Sequence, residues 1–177
     1  MVIEERTVPL KLRASRSRRT MKTIVLLLLL TTPAFYATGQ SKAMTFQEAE
    51  MQGISIPHLD SLYKSAVHTD VKLAVFKTAE EQTNLQKAYV EFLQSLGSFL
   101  KAQQFKWEKQ TRCYNRIYLS STGAVDFFLY NFSKDQISPE KELEFGRLLN
   151  LFVKDHKFSL TAKERFAQCS PVKYSDN

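Results

Sequence analysis

The chain has 177 residues, with 25 Lys and Arg against 18 Asp and Glu and a formal net charge of +7. That excess is uneven: residues 1–39 hold seven of the basic side chains and two of the acidic ones, leaving 18 against 16, net +2, in 40–177. So balanced a remainder has no Lys/Arg stripe to neutralise a row of phosphates, which excludes nucleic acid as an expected partner. With only five Gly and five Pro in its whole length, the chain is also unlike a disordered segment.

Residues 1–20 are polar and basic, without apolar period. "MKTIVLLLLLTTPAFYATGQS" follows: Lys22, an apolar run over 24–30, then the small residues of Ala37-Thr38-Gly39. The run is shorter than the roughly 20 residues needed to span a bilayer. It has the three parts of a secretory signal peptide. The pattern predicts cleavage after Gly39, a periplasmic or extracellular destination and no transmembrane span in the remainder; Met21 is the expected start, and a start at Met1 would give the same signal a long basic front. Residues 1–39 are then a leader, and 40–177 a single α+β domain, mainly helical in 40–105 and strand–strand–helix–strand in 106–177.

Thr45 and Glu48 stand at capping-box spacing and Gly53 follows, predicting a short helix over 45–53. Pro57 suits the start of a second helix, and Leu59, Leu62, Tyr63, Ala66 and Val67 recur on one helical face. "VKLAVF" (71–76) fits either a short strand or the approach to the next helix. Thr78 and Glu81 form another capping box. From there Leu85, Ala88, Tyr89, Phe92, Leu93, Leu96, Phe99 and Leu100 keep a helical stripe to about 104. Gly97 interrupts it at a cost of about 1 kcal/mol, and close packing against a neighbour is the expected reason.

From Arg112 the period becomes two. Cys113, Asn115, Ile117 and Leu119 oppose Tyr114, Arg116 and Tyr118. After the turn "SSTG", Val125, Phe127 and Leu129 oppose Asp126, Phe128 and Tyr130. Two such runs around a Gly turn predict a hairpin. Ser138, Pro139, Glu140 and Glu142 open a helix on which Phe145, Leu148, Leu149, Phe152 and His156 share a face. "ERFAQCSPVKY" is a third strand, with Pro171 suited to an edge. Helices of the first half are expected to pack on a small antiparallel sheet from the second. Only two cysteines exist, Cys113 and Cys169; in an exported chain they read as one disulfide.

"RIYLSSTGAVDFFLYNF", "EKELEFGRLLNLF" and "KFSLTAKERFAQCSPVKY" together resemble the periplasmic C-terminal domain of TonB-like proteins, over about residues 112–174. The resemblance implies a ββαβ core and an envelope-facing module that pairs with its partner through a sheet edge. "HKFSLTAK" stands where that family has a Pro- and Trp-bearing segment, and no Pro-rich spacer precedes the module, so the implication concerns fold and pairing, not energy transduction.

His58 with Asp60 and His68 with Asp70 repeat a His-x-Asp pattern that could ligate zinc, although residues two apart on a helix face different ways. Ser120 and Ser121 precede Gly123 in a hairpin turn rather than a nucleophile elbow. Asp126 would need Glu108 or Asp135 beside it to form a catalytic carboxylate pair. Asn131-Phe132-Ser133 is a glycosylation sequon only in a glycosylating host. Trp107, Tyr114, Tyr118, Phe128, Tyr130 and Phe132 are the candidate partner-binding surface, suited to an envelope protein or a glycan. No cofactor is expected. The reading is a non-enzymatic binding module, with a small secreted hydrolase as the alternative. A hydrolase should bring His58, His68 or His156 to a carboxylate or hydroxyl; a binding module should leave an aromatic face or strand edge open.

Overall fold

The computed structural model describes residues 43–176; the expected leader and cleavage site lie outside the described residues. Local chemistry sets the helix starts. Strand β1 (Ala43–Thr45) runs into α1 (Phe46–Met51), where Thr45 and Glu48 complete the capping box. Ser55 caps α2 (Ile56–Leu62) with Pro57 in its first turn. Thr78 and Glu81 form the capping box of the long helix α3 (Ala79–Ala102). Ser138 caps α4 (Pro139–Asp155), with Pro139 first and Glu140 and Glu142 in the opening turn. These caps satisfy amide groups that a helix start otherwise leaves unpaired.

The remaining strands are β2 (Lys64–Ser65), β3 (Thr111–Leu119), β4 (Val125–Phe132) and β5 (Phe166–Tyr174). They form one five-stranded sheet in the order β1-β4-β3-β5-β2. The α+β class is as expected, but the sheet is mixed. β3 is antiparallel to both β4 and β5, whereas β1 runs parallel to β4 and β2 parallel to β5. The two short parallel strands carry too few residues for a period to show.

β2 also corrects the second helix. The chain leaves α2 at Tyr63, and the Lys64 N–H reaches the Arg165 carbonyl at 3.1 Å. Strand pairing overrides the helical period of Leu59, Leu62, Tyr63, Ala66 and Val67. Leu62 and Val67 are exposed, while Tyr63 and Ala66 are buried in different clusters. The ambiguous 71–76 segment makes a 3-10 turn over Val71–Leu73, and Val75 and Phe76 then hydrogen-bond along the outside of β2.

Two layers cover the sheet. α3 and α4 bury one face, where Phe92, Phe128, Phe145, Phe152, Phe158 and Phe166 meet. α1 and α2 partly cover the other, over Met44, Tyr118, Leu129 and Ala167. Burying one such aromatic side chain stabilises the fold by about 1.5–3 kcal/mol. A bulge alters the expected alternation of β4. Tyr118 pairs with Phe127 and Leu119 with Val125, so Asp126 is an extra residue. Val125 therefore joins Phe128 and Tyr130 in the larger core, while Phe127 and Leu129 face the other way.

The disulfide does not exist: Cys113 and Cys169 are both free thiols. Cys113 pairs in register with Val172, and Cys169 with Arg116. The two sulfurs are thus three residue steps apart, about 10 Å along the strands. They also lie on opposite faces, Cys113 buried in the larger core and Cys169 exposed. A disulfide needs Cα atoms within about 7 Å and converging side chains.

The glycine expectation is also overturned. A Cβ at Gly97 would meet no atom within 4 Å. The close approach occurs instead at Gly146 on α4, where a Cβ would stand 2.5 Å from the Tyr130 hydroxyl.

Candidate functional site

Residues expected at a binding surface turn out to build the core. Trp107, Tyr118, Phe128, Tyr130 and Phe132 are all buried, and only Tyr114, 40 % exposed, reaches solvent. Tyr130 and Phe132 pack edge-on against Phe145 at 5.1 and 5.3 Å. Alternation could not reveal this, because both faces of the hairpin are aromatic and both are covered.

The His-x-Asp residues have local work. Asp60 accepts hydrogen bonds from Arg116 and from the Tyr118 hydroxyl, holding α2 to β3. His68 Nδ1 accepts the Asp70 N–H at 2.9 Å, and Asp70 in turn caps the 3-10 turn through the Lys72 N–H. His58 lies on exposed α2, and among the described residues no group of three His, Cys, Asp or Glu converges. His156 ends α4, its ring stacked on Phe152 at 4.0 Å and its Nδ1 2.9 Å from the Phe152 carbonyl. Asp126 accepts from the Tyr63 hydroxyl at 2.9 Å, and Glu108 pairs with Lys141. No carboxylate pair forms among them. Ser120 accepts the amides of Thr122 and Ala124 within the hairpin turn.

Both sheet edges are blunted. At β1, Asn150 of α4 accepts the Ala43 N–H and donates to the Ala43 carbonyl. At β5, bonds from Lys64 and Ala66 to the Arg165 and Ala167 carbonyls show that odd-numbered residues point their backbone outward. Beyond β2 these are Cys169, Pro171 and Lys173. Gln168 Nε2 donates to the Cys169 carbonyl at 3.3 Å, Ser170 Oγ donates to the Pro171 carbonyl at 3.1 Å, and Pro171 has no N–H. With two of its outward carbonyls engaged and one N–H missing, this edge is a poorer template for an added strand.

What remains open is the outer side of α3. A groove of about 950 Å³ runs between the C-terminal half of α3 and the end of β5. Leu93, Leu100, Phe105 and Val172 give it an apolar floor, and Gly97 opens its centre. Lys101, Lys106 and Lys173 line it, none within ion-pair distance of a carboxylate among the described residues, with Lys106 near Asp176. A second depression of about 700 Å³ continues along the N-terminal half of α3 and shares Val90 and Gln94 with the first.

The closed end of the groove is rigid. Trp107 lies flat on Tyr174 and edge-on to Phe105. Asp176 accepts the amides of Trp107 and Glu108, each at 2.9 Å, tying the C-terminal segment to the loop after α3. Those two amides, with Lys106 and Lys141 nearby, hold the Asp176 carboxyl below its ordinary value. Gln104 and Glu108 both have positive φ, 61° and 64°. Such strain in non-glycine residues gathers at places where the chain's path is prescribed. The sequence clue to this site was Gly97, whose exposed mid-helix position has no packing reason.

No family model, no curated protein and no solved structure matches this chain. Among the described residues, no helix is long and apolar enough to cross a membrane.

Proposed function

We propose that this protein is a non-catalytic binding module, acting outside the cytosol, whose ligand site is the groove along α3. The observation that carries the reading is the groove itself: an apolar floor, a rim of exposed lysines and a stacked aromatic end wall. A site of this size and mixed lining suits a peptide segment or a glycan of the cell envelope. Gly97 supports the same reading. A glycine inside an exposed helix sacrifices about 1 kcal/mol of stability, and a bound partner that needs the space accounts for it. The blunted edges favour the groove over strand addition as the mode of docking. The extracytoplasmic setting rests on the leader pattern of 21–39 alone.

The test compares the protein with its Gly97→Leu variant against an unbiased peptide library and a glycan array. Leu is a good helix former, and its side chain enters open space, so the fold should be kept while the groove is filled. Ligands retained by the wild type and lost by a variant of undiminished thermal stability support the site. Equal retention by both proteins, or none by either, sinks it. The setting is tested separately: the mature protein recovered from its source should begin at Gln40 and lie outside the cytosol.

A further inference from the structure

Resting on that reading, we infer that the occupant of the groove is an acidic amphipathic helix of a partner protein, seated over Gly97 with its carboxylates facing Lys101, Lys106 and Lys173.

Three observations define the occupant. The first is charge. The three lysines are exposed and outside ion-pair distance of any described carboxylate; Asp176, the one carboxylate lining the same groove, lies near Lys106 and already accepts two backbone amides, and Glu91 lines the adjoining depression with Lys87. A partner bearing carboxylates meets complementary potential there, which steers its approach and fixes its register.

The second is shape. Lys87, Val90, Gln94, Gly97 and Lys101 line the two depressions at alternating steps of three and four residues. That spacing forms a straight seam along one side of a helix, polar except at Val90 and Gly97, with Leu93 and Leu100 beside it as apolar contacts for a second helix. Gly97 lies mid-seam with no atom near its missing Cβ, so a partner backbone can come close at that point. From Lys87 to Lys101 the seam is about 21 Å long, enough for a partner helix of some 14 residues.

The third is what the site refuses. The outward carbonyls of Cys169 and Pro171 are engaged by neighbouring side chains, so the adjoining sheet edge offers an extended strand fewer acceptors than a bare edge would. A single nucleic-acid strand would need an open ring face for its bases. Trp107 and Tyr174 are stacked on one another and buried, and offer none.

The experiment uses Trp107, the only tryptophan of the chain, as reporter. The probes are a synthetic helical peptide of about 18 residues with Leu and Ala along one edge and Glu beside them, the same peptide with Lys for Glu, and an oligothymidylate. The Glu peptide should change Trp107 emission saturably, more strongly at low salt, and bind about tenfold more weakly to the Gly97→Leu protein. A Lys101→Glu/Lys173→Glu protein should exchange its preference and take the Lys peptide. The inference is overturned if the Lys peptide or the oligothymidylate binds as well as the Glu peptide, if no probe binds, or if charge reversal leaves the preference unchanged. Its failure is separable from that of the groove reading: library ligands that are sensitive to Gly97→Leu but neutral or basic would refute only the acidic helix.

Discussion

The rings of Trp107 and Tyr174 lie parallel, 4.7 Å apart with 3° between their planes. This stack joins the loop after α3 to the last residue of β5, and the Tyr174 hydroxyl accepts the Asn115 Nδ2–H at 2.7 Å beneath it. Tyr174→Phe should keep the stack and strand a buried amide, lowering stability by about 1–3 kcal/mol. Tyr174→Ala should cost more, about 3–5 kcal/mol, and shift Trp107 emission to the red as the indole gains water. Urea unfolding followed by that single tryptophan measures both. Equal emission changes in the two variants would contradict the stack as the anchor.

The free thiols should differ sharply in reactivity. Burial pushes the Cys113 thiol up to about 12, and the side chain sits among core residues beside Asn115. Cys169 is exposed. Since the thiolate is the reacting species, an alkylating reagent should modify Cys169 alone in the native protein and both residues after unfolding. Reductant should leave the thermal midpoint unmoved. Rapid native labelling at Cys113, or a midpoint that falls with reductant, would restore the disulfide.

How far the fold could be read depends on whether its cause is local. The capping boxes at Thr45–Glu48 and Thr78–Glu81 and the Ser138-Pro139 start are short-range chemistry, and they sit where the residues place them. The hairpin turn and the three long strands were legible because their period of two runs for eight or nine residues. β1 and β2 were not, since three and two residues hold no period and their pairing partners lie far along the chain. The Cys113–Cys169 pairing failed on register: alternation assigns faces within a strand but does not say that Cys169 falls opposite Arg116. The aromatic set failed for a related reason. Hydrophobicity marks what is buried, and on a sheet covered from both sides it marks nearly everything. The groove was not legible: Gly97 in a helix stripe points to close packing, and only the structure shows the open space beside it.

Gly97 and Gly146 should respond in opposite directions to the same substitution. Gly97→Ala adds a methyl group to open space on a helix and should raise stability by about 1 kcal/mol. Gly146→Ala places a Cβ against the hydroxyl of the buried Tyr130, and overpacking of this kind costs about 1–3 kcal/mol. Combining Gly146→Ala with Tyr130→Phe removes the clashing atom and should recover most of the loss. Thermal unfolding of the four proteins decides it; a stabilised Gly146→Ala would refute the packing reason.

Asp60 holds two donors, the Arg116 guanidinium and the Tyr118 hydroxyl, and Arg116 also lies 5.6 Å over the Tyr118 ring. Asp60→Ala leaves both without their acceptor and should cost about 1–3 kcal/mol. Adding Arg116→Met and Tyr118→Phe removes the stranded groups, so the triple variant should be more stable than Asp60→Ala alone. Zinc added to the wild-type protein should leave its unfolding midpoint in place, because Asp60 and His68 are engaged in the fold. A metal-dependent rise would return the His-x-Asp pairs to the role of ligands.

Tyrosine ionisation should set the alkaline limit of the fold. Burial, then the Asp126 carboxylate, pushes Tyr63 up to about 12, and burial does the same for Tyr89. Burial also raises Tyr118, Tyr130 and Tyr174. An unfolded tyrosine ionises near 10. Between about 10 and 12 the unfolded chain therefore binds fewer protons than the native one, and stability falls as pH rises. Below 10 both states are protonated at these groups, and their contribution is fully present. A spectrophotometric titration should show these tyrosines ionising late and together, in step with loss of helical circular dichroism. Gradual ionisation centred near 10 with the helix signal intact would mean that these hydroxyls are open to solvent, and the packing of α2, α3 and α4 on the sheet would be wrong.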